Sequence, residues 1–271
     1  MTVQTVWAAW FSATDTTRAV VNRIAARLAR QTGAPLETYD FTLPQARKAP
    51  RTFGPGDLVV LGTPVYAGRV PNLLIPFISS LRGNGALAVP VVCYGNRAYD
   101  DALMELKLTL AAGGFTPIAG GAFSCQHAFS RTQNAGRPDV SDLTVAGGFA
   151  DAVAKKLAAG DLTPVTVPGN DPVGPYYTPR DRHGAPINIL KVVPVTSEAC
   201  THCGLCASQC PLGSIDPEDE TKMTGKCMKC NRCVKHCPVG AKSFDDPNYL
   251  YHKTELEDQF SWPRKQPELF L

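Results

Sequence analysis

The chain has 271 residues, room for about two domains at 100–200 residues each, and its formal net charge of +3 is too small to argue for a nucleic-acid partner. Hydrophobic residues make up 44% and charged residues 19%, which excludes a disordered chain. Ten cysteines exclude an ordinary single-core enzyme of a reducing compartment unless most of the thiols have a task, and no apolar run approaches the ~18 residues of a membrane span.

Met1-Thr2-Val3-Gln4 carries no basic segment ahead of the first apolar stretch, so no export signal is expected. A cytoplasmic setting with free thiolates is the corresponding expectation. Val3 to Phe11 reads as a buried strand. Asp15 to Arg30 reads as a helix, with Val20, Ile24 and Leu28 on one face. Strands follow at Leu36 to Phe41, Asp57 to Val65, Val89 to Tyr94 and Thr116 to Ser124. Helices are expected at Asn72 to Leu81, Asp100 to Ala112 and Ser141 to Ala159, the last two ended by glycine. Continuous apolar strands alternating with amphipathic helices predict an α/β fold, a doubly wound parallel sheet covered on both faces.

Composition shifts near residue 161. Seven prolines fall within 161–198, which favours extended chain and reads as a connector draped over the first domain. Tyr176, Tyr177 and the run Ile187-Asn188-Ile189-Leu190 would anchor it. The expected divisions are 1–160, the connector 161–198, a cysteine-rich module 199–243 and an aromatic tail 244–271 that docks back.

Eight of the ten cysteines lie between Cys200 and Cys237. Cys200-x2-Cys203-x2-Cys206-x3-Cys210-Pro211 recurs as Cys227-x2-Cys230-x2-Cys233-x3-Cys237-Pro238. Zinc sites pair two C-x2-C halves across a longer loop, and disulfides conflict with the expected compartment. The repeated run is that of bacterial iron–sulfur proteins, in which the fourth cysteine serves the other cluster. It assigns one [4Fe–4S] cluster to Cys200, Cys203, Cys206 and Cys237, and a second to Cys210, Cys227, Cys230 and Cys233. These residues resemble two-cluster bacterial-type ferredoxins. Lys222, Lys226, Lys229, Arg232, Lys235 and Lys242 crowd the second half, where they offset cluster charge, steer an acidic redox partner or form a solvated basic face.

The first strand runs through Phe11-Ser12-Ala13-Thr14-Asp15-Thr16-Thr17 into a helix. Hydroxyls and N–H groups at a helix N-terminus suit a phosphate monoester. Two more strand ends, Gly62 to Arg69 and Cys93 to Tyr99, offer an aromatic beside glycine where open α/β sheets bind ligands. Together these loops fit FMN, and residues 1–160 resemble flavodoxins, five-stranded with order 2-1-3-4-5. The resemblance implies phosphate contacts at Ser12, Thr14, Thr16 and Thr17. It implies ring contacts along Pro64, Val65, Tyr66, Ala67 and Gly68, and along Tyr94, Gly95, Asn96, Arg97 and Tyr99. Flavodoxins usually carry glycine where this chain has Asp15, and an acid beside a phosphate is unfavourable unless it points away. Cys93 reads as a buried strand thiol, and Cys125, Gln126 and His127 either border the ring or form an ordinary loop.

The order of parts, with GTPVYAGRVP, YGNRAYDDAL and GRPDVSDL, resembles a family of bacterial and archaeal flavodoxin–ferredoxin fusion proteins. The resemblance implies electron transfer between two [4Fe–4S] clusters and FMN, converting one-electron and two-electron carriers, with ferredoxin-type donors or acceptor oxidoreductases as partners. The alternative is an FMN-dependent reductase of a small organic substrate fed by the clusters, with Tyr66, Tyr99 or His127 as proton donor. A redox sensor is a third reading that no DNA-binding element supports.

Overall fold

The computed structural model describes residues 2–271. Its first half alternates β1 (Thr5–Trp10), α1 (Thr16–Thr32), β2 (Leu36–Asp40), β3 (Asp57–Pro64), the one-turn α2 (Ile75–Ile78), β4 (Leu87–Tyr94), α3 (Ala102–Ala112), β5 (Thr116–Pro117), β6 (Gly120–Ser124) and α4 (Val140–Ala158). β1 lies between β2 and β3, β4 follows β3, and β5 and β6 both pair with β4, all in parallel. This is the doubly wound, flavodoxin-like α/β topology. One sheet face packs Val6, Ala8, Leu58, Val60, Val89 and Val91 against α1 and α4. The other packs Ala9, Phe11, Val59, Leu61 and Val92 against α3, Ile78 and three phenylalanines outside the strands, Phe41, Phe53 and Phe115.

Two features correct the expected five-stranded sheet. The fifth strand is broken. Ala88 pairs with Pro117 but Val91 pairs with Gly121, so one extra residue is inserted opposite Val89 and Pro90. Pro90 has no N–H to give the ladder, and a bulge is the ordinary answer to a proline inside a sheet. The sheet also gains a strand from the far end of the chain: β9 (Glu268–Phe270) pairs antiparallel with β6.

Between α4 and β9 the chain makes a long excursion. Residues 161–194 run without helix or ladder strand over the first domain, held by Val165 N–H to Pro117 O at 2.8 Å, Tyr177 N–H to Ala67 O at 2.8 Å and Tyr176 OH to Val70 O at 2.9 Å. Asp101 binds the N–H groups of Asn170 and Gly174. The cysteine module follows, with β7 (Val195–Thr196), α5 (Leu205–Ser208), α6 (Arg232–Lys235) and β8 (Lys242–Ser243). β7 and β8 pair antiparallel. The module's sequence repeat is a backbone repeat too. Left-handed residues stand two and four places after each leading cysteine, at His202 and Gly204 and again at Lys229 and Asn231. Finally α7 (Pro247–Phe260) is capped by Asp246, whose carboxylate accepts from Tyr249 N–H, and buries Tyr249, His252 and Leu256. Among the described residues no helix is long and apolar enough to cross a membrane.

Candidate redox site

The loop between β1 and α1 is built to receive an anion. Ser12 N–H donates to Thr42 Oγ1 at 2.9 Å, and Ser12 Oγ accepts from Arg18 N–H at 3.0 Å. Between them, the N–H groups of Ala13, Thr14, Asp15, Thr16 and Thr17 donate to no protein acceptor among the described residues. Five free donors at the head of a 17-residue helix, with Thr14, Thr16 and Thr17 on a cavity wall, are what a phosphate monoester needs. Gly62 is required here, because a Cβ on it would stand 2.3 Å from Val21 and 2.9 Å from Thr17.

That cavity has a volume of about 1380 Å³. Its first wall is the three strand-end loops, including Pro64, Val65, Tyr66, Ala67, Gly68, Tyr94, Gly95 and Arg97. Its second is the connector, from Tyr176 to Pro179 and Pro186 to Lys191. Its third is Met223 to Lys229 of the cysteine module. Among the described residues no aspartate or glutamate lines it, whereas Arg97, Lys191, Lys226 and Lys229 do. The sequence predicts a connector draped over the first domain but does not place it, or the cysteine module, at this cavity. The residues expected to anchor the connector, Tyr176, Tyr177 and Ile187 to Leu190, all lie on the second wall.

Three residues expected at the flavin do not line this cavity. Ser12 is turned to cap α1. Asn96 has all four of its amide hydrogen-bonding positions taken: Nδ2 donates to Phe260 O and Pro263 O, and Oδ1 accepts from Ser124 Oγ and Lys265 N–H. Tyr99 packs on Tyr94 with ring centroids 5.4 Å apart and donates its hydroxyl to Glu268 of β9 at 2.7 Å. Burial and Glu268 push Tyr99 well above the usual phenol range, so it is a fastening for the tail and not a proton donor to the cavity. The tail therefore claims side chains that the sequence seemed to offer the cofactor. The backbone N–H groups of Gly95, Asn96 and Arg97 still have no protein acceptor among the described residues.

Tyr66 stays at the site. Burial, then the nearby Cys230 and Cys227, hold its hydroxyl protonated well above pH 10. His127 also lines the cavity, lying where a Cβ on Gly95 would be. Its Nδ1 accepts from Phe129 N–H at 3.0 Å, which leaves Nε2 as the N–H of the neutral ring. Burial, with Lys235, His252 and Arg97 close by, pushes the imidazole down to about 3, so it is a hydrogen-bond donor at neutral pH and not an acid. An unfolded histidine takes up its proton near 6.5. Between the two values the unfolded chain binds more protons, so stability falls as pH drops through that window, by about 1.4 kcal/mol per unit from this group. His127→Gln is expected to flatten the urea-midpoint profile between pH 6.5 and 5. An unchanged slope would show that His127 is not buried neutral.

The eight clustered cysteines gather around two small voids. Cys200, Cys203, Cys206 and Cys237 ring one, and Cys210, Cys227, Cys230 and Cys233 ring the other. Backbone donors already face the sulfurs: Ser214 N–H to Cys210 Sγ at 3.3 Å, Lys229 N–H to Cys227 Sγ at 3.3 Å and Ala241 N–H to Cys237 Sγ at 3.2 Å. Such donors favour thiolate and tune a cluster's potential. The two sets of lining residues share no member. In contrast, Met223, Lys226, Cys227 and Met228 line both the second void and the large cavity.

The basic residues of the second half divide between surface and interior, with Lys222 and Lys226 exposed. Lys229 and Lys242 are buried, and Lys222 pairs with Asp219 at 2.9 Å. Lys229 Nζ donates to Leu190 O at 2.9 Å, Lys235 Nζ to His127 O at 2.7 Å and Arg232 Nη1 to Ala13 O at 2.8 Å. From the other side Arg131 reaches Val234 O at 2.9 Å, and Arg47 binds Pro211 O. Cations meeting backbone carbonyls are the polar joint between module, connector and first domain.

Residues 193–216 and 221–243 match the family described as 4Fe-4S binding domain, once for each repeat. No curated protein matches the chain. Among solved structures, the chain is similar to a flavodoxin of Streptococcus pneumoniae, at 18% identity over 56% of this chain and 99% of that one, TM-score 0.38. It is similar to flavodoxin 1 of Bacillus cereus at 15% identity over 56% of this chain and 98% of that one, TM-score 0.40. An archaeal flavodoxin is 11% identical over 57% of this chain and 99% of that one, TM-score 0.38. On its own topology and the two matched repeats, the chain joins a flavodoxin-like α/β domain to a 4Fe-4S binding domain with two repeats.

Proposed function

We propose that the chain is a flavo-iron–sulfur electron carrier in which the two clusters and FMN form a row, with the second cluster in the middle. The proposed ligands are Cys200, Cys203, Cys206 and Cys237 for the outer cluster, and Cys210, Cys227, Cys230 and Cys233 for the inner one. FMN would be held by the free N–H groups of residues 13–17, the Thr14, Thr16 and Thr17 hydroxyls, and the Pro64–Gly68 and Tyr94–Arg97 loops. Bound there, the clusters exchange single electrons and FMN one or two, so the protein would convert between the two kinds of carrier. The observation that carries the reading is the shared wall: the Cys227 segment faces the inner void on one side and the flavin cavity on the other. The chain's own contribution is to fix that wall and to keep it cationic, through Lys226 and Lys229.

One observation favours a second reading, reduction of a small organic substrate. The cavity of about 1380 Å³ exceeds the ~300–1,000 Å³ of an ordinary small-molecule site. Anaerobic purification tests both. The expected result is one FMN and two clusters per chain, with the flavin bleaching after the clusters are reduced. A protein that binds both clusters and takes up no flavin on reconstitution would overturn the proposal. Turnover of an organic acceptor without a protein partner would favour the reductase.

A further inference from the structure

Asp15 stands at a left-handed position, φ 65°, where glycine is at ease, and its carboxylate caps nothing on α1. It turns away from the anion loop toward the cysteine module. Its Oδ1 lies 3.6 Å from Arg18 Nη1 and 3.8 Å from Arg232 Nη1, and its Oδ2 lies 3.4 Å from His236 Nε2. The same Arg232 nitrogen donates to Ala13 O at 2.8 Å and approaches Ser12 O at 3.4 Å. A loop that turns its N–H groups inward to an anion must present carbonyls outward, and Arg232 takes them. Arg232 opens α6, between Cys230 and Cys233, two of the cysteines around the inner void.

We propose that Asp15 and Arg232 form a latch through which the phosphate-binding loop sets the position of the inner-cluster segment over the flavin cavity. Asp15 is a positioning residue, and the latch accounts for an acid at a place that suits glycine. Glycine there would relax the loop and remove a negative charge near a bound phosphate, yet would leave Arg232 held only by neutral carbonyls. The latch itself needs no flavin. Its effect on electron transfer rests on the FMN reading above.

The test uses the full chain with reconstituted clusters, as Asp15→Gly, Asp15→Asn, Arg232→Gln and the Asp15→Asn/Arg232→Gln double variant. In flavin-free protein, amide exchange across residues 231–236 is expected to quicken about two- to five-fold in both Asp15 variants, the range of a half-exposed ion pair. The double variant should fall short of the two single effects combined, because the two residues share an interaction that either substitution already removes. With FMN added, Asp15→Gly should bind it at least as tightly as the parent while cluster-to-flavin transfer slows. Affinity and rate thus move apart, which general loosening would not produce. Unchanged exchange in flavin-free Asp15→Gly and Asp15→Asn, or additive effects in the double variant, would overturn the latch. Quickened exchange in a protein that takes up no FMN would uphold the latch and defeat the cofactor reading.

Discussion

Cys227→Ala is expected to cost the protein half of its iron and to leave the flavin oxidised when the outer cluster is reduced. Cys200→Ala should also halve the iron, yet leave the flavin reducible. The difference follows from the walls. Cys227 belongs to the void that shares Met223, Lys226 and Met228 with the flavin cavity, whereas Cys200 belongs to a void that shares none of them. Electron tunnelling weakens steeply with the gap, so removing the middle member of a row disconnects the ends. Iron content and electron paramagnetic resonance of each variant show which cluster remains, and rapid mixing with a low-potential reductant reads the bleaching of the flavin. Both variants lose one ligand of four, so general damage to the module should strike them alike. Equal bleaching in the two would remove the inner cluster from its middle place.

The second large effect is on stability. Glu105→Ala is expected to cost about 3–5 kcal/mol, because it leaves an arginine buried without its partner. Glu105 Oε1 accepts from Arg69 Nη2 at 2.6 Å, and its Oε2 accepts from Arg69 Nε at 2.8 Å and from Val70 N–H at 2.9 Å. The side chains are only 7% and 11% exposed. Arg69 also donates to Gly174 O, and its guanidinium lies 4.8 Å from the Tyr176 ring centroid. One carboxylate on α3 therefore holds both the turn after β3 and the connector. A shift of the urea midpoint at constant slope measures the loss. Replacing both partners with apolar residues, Arg69→Met with Glu105→Leu, should restore much of it, since no charge is then stranded. A Glu105→Ala variant within 1 kcal/mol of the parent would show, as an approximate bound, that the pair contributes as little as a surface one does.

The α/β topology was legible because the strands are continuous apolar runs and the helices carry their apolar residues on one side. The break in the fifth strand was not read, although Pro90 and Pro117 were in plain sight. Their effect depends on which strands become neighbours, and periodicity does not carry that information. The spacing of the cysteines groups them by itself, since three thiolates two residues apart can face one cube. The flavin edge was harder. Asn96 and Tyr99 sit in the right loop, but Phe260, Pro263, Lys265 and Glu268 compete for their polar atoms from more than 160 positions away. The lysines and arginines of the second repeat looked like surface because charge usually is. Lys229, Arg232 and Lys235 instead meet carbonyls of another part of the chain, a partner that composition cannot reveal.

The β6–β9 pairing has a mechanical consequence. The connector leaves the sheet after α4, and the chain returns to it at β9, so the cysteine module is strung between two anchors on one scaffold. A single proteolytic cut in the exposed stretch around Arg180 to Pro186 would leave each fragment with its own hold on the rest. The C-terminal fragment would hold on both through β9 and through its module, and while one contact holds, the other re-forms at the effective concentration of a linked site, about the millimolar range for short linkers. A nicked preparation should therefore co-elute as one species, and the module should swing no further than a bridge fixed at both banks allows.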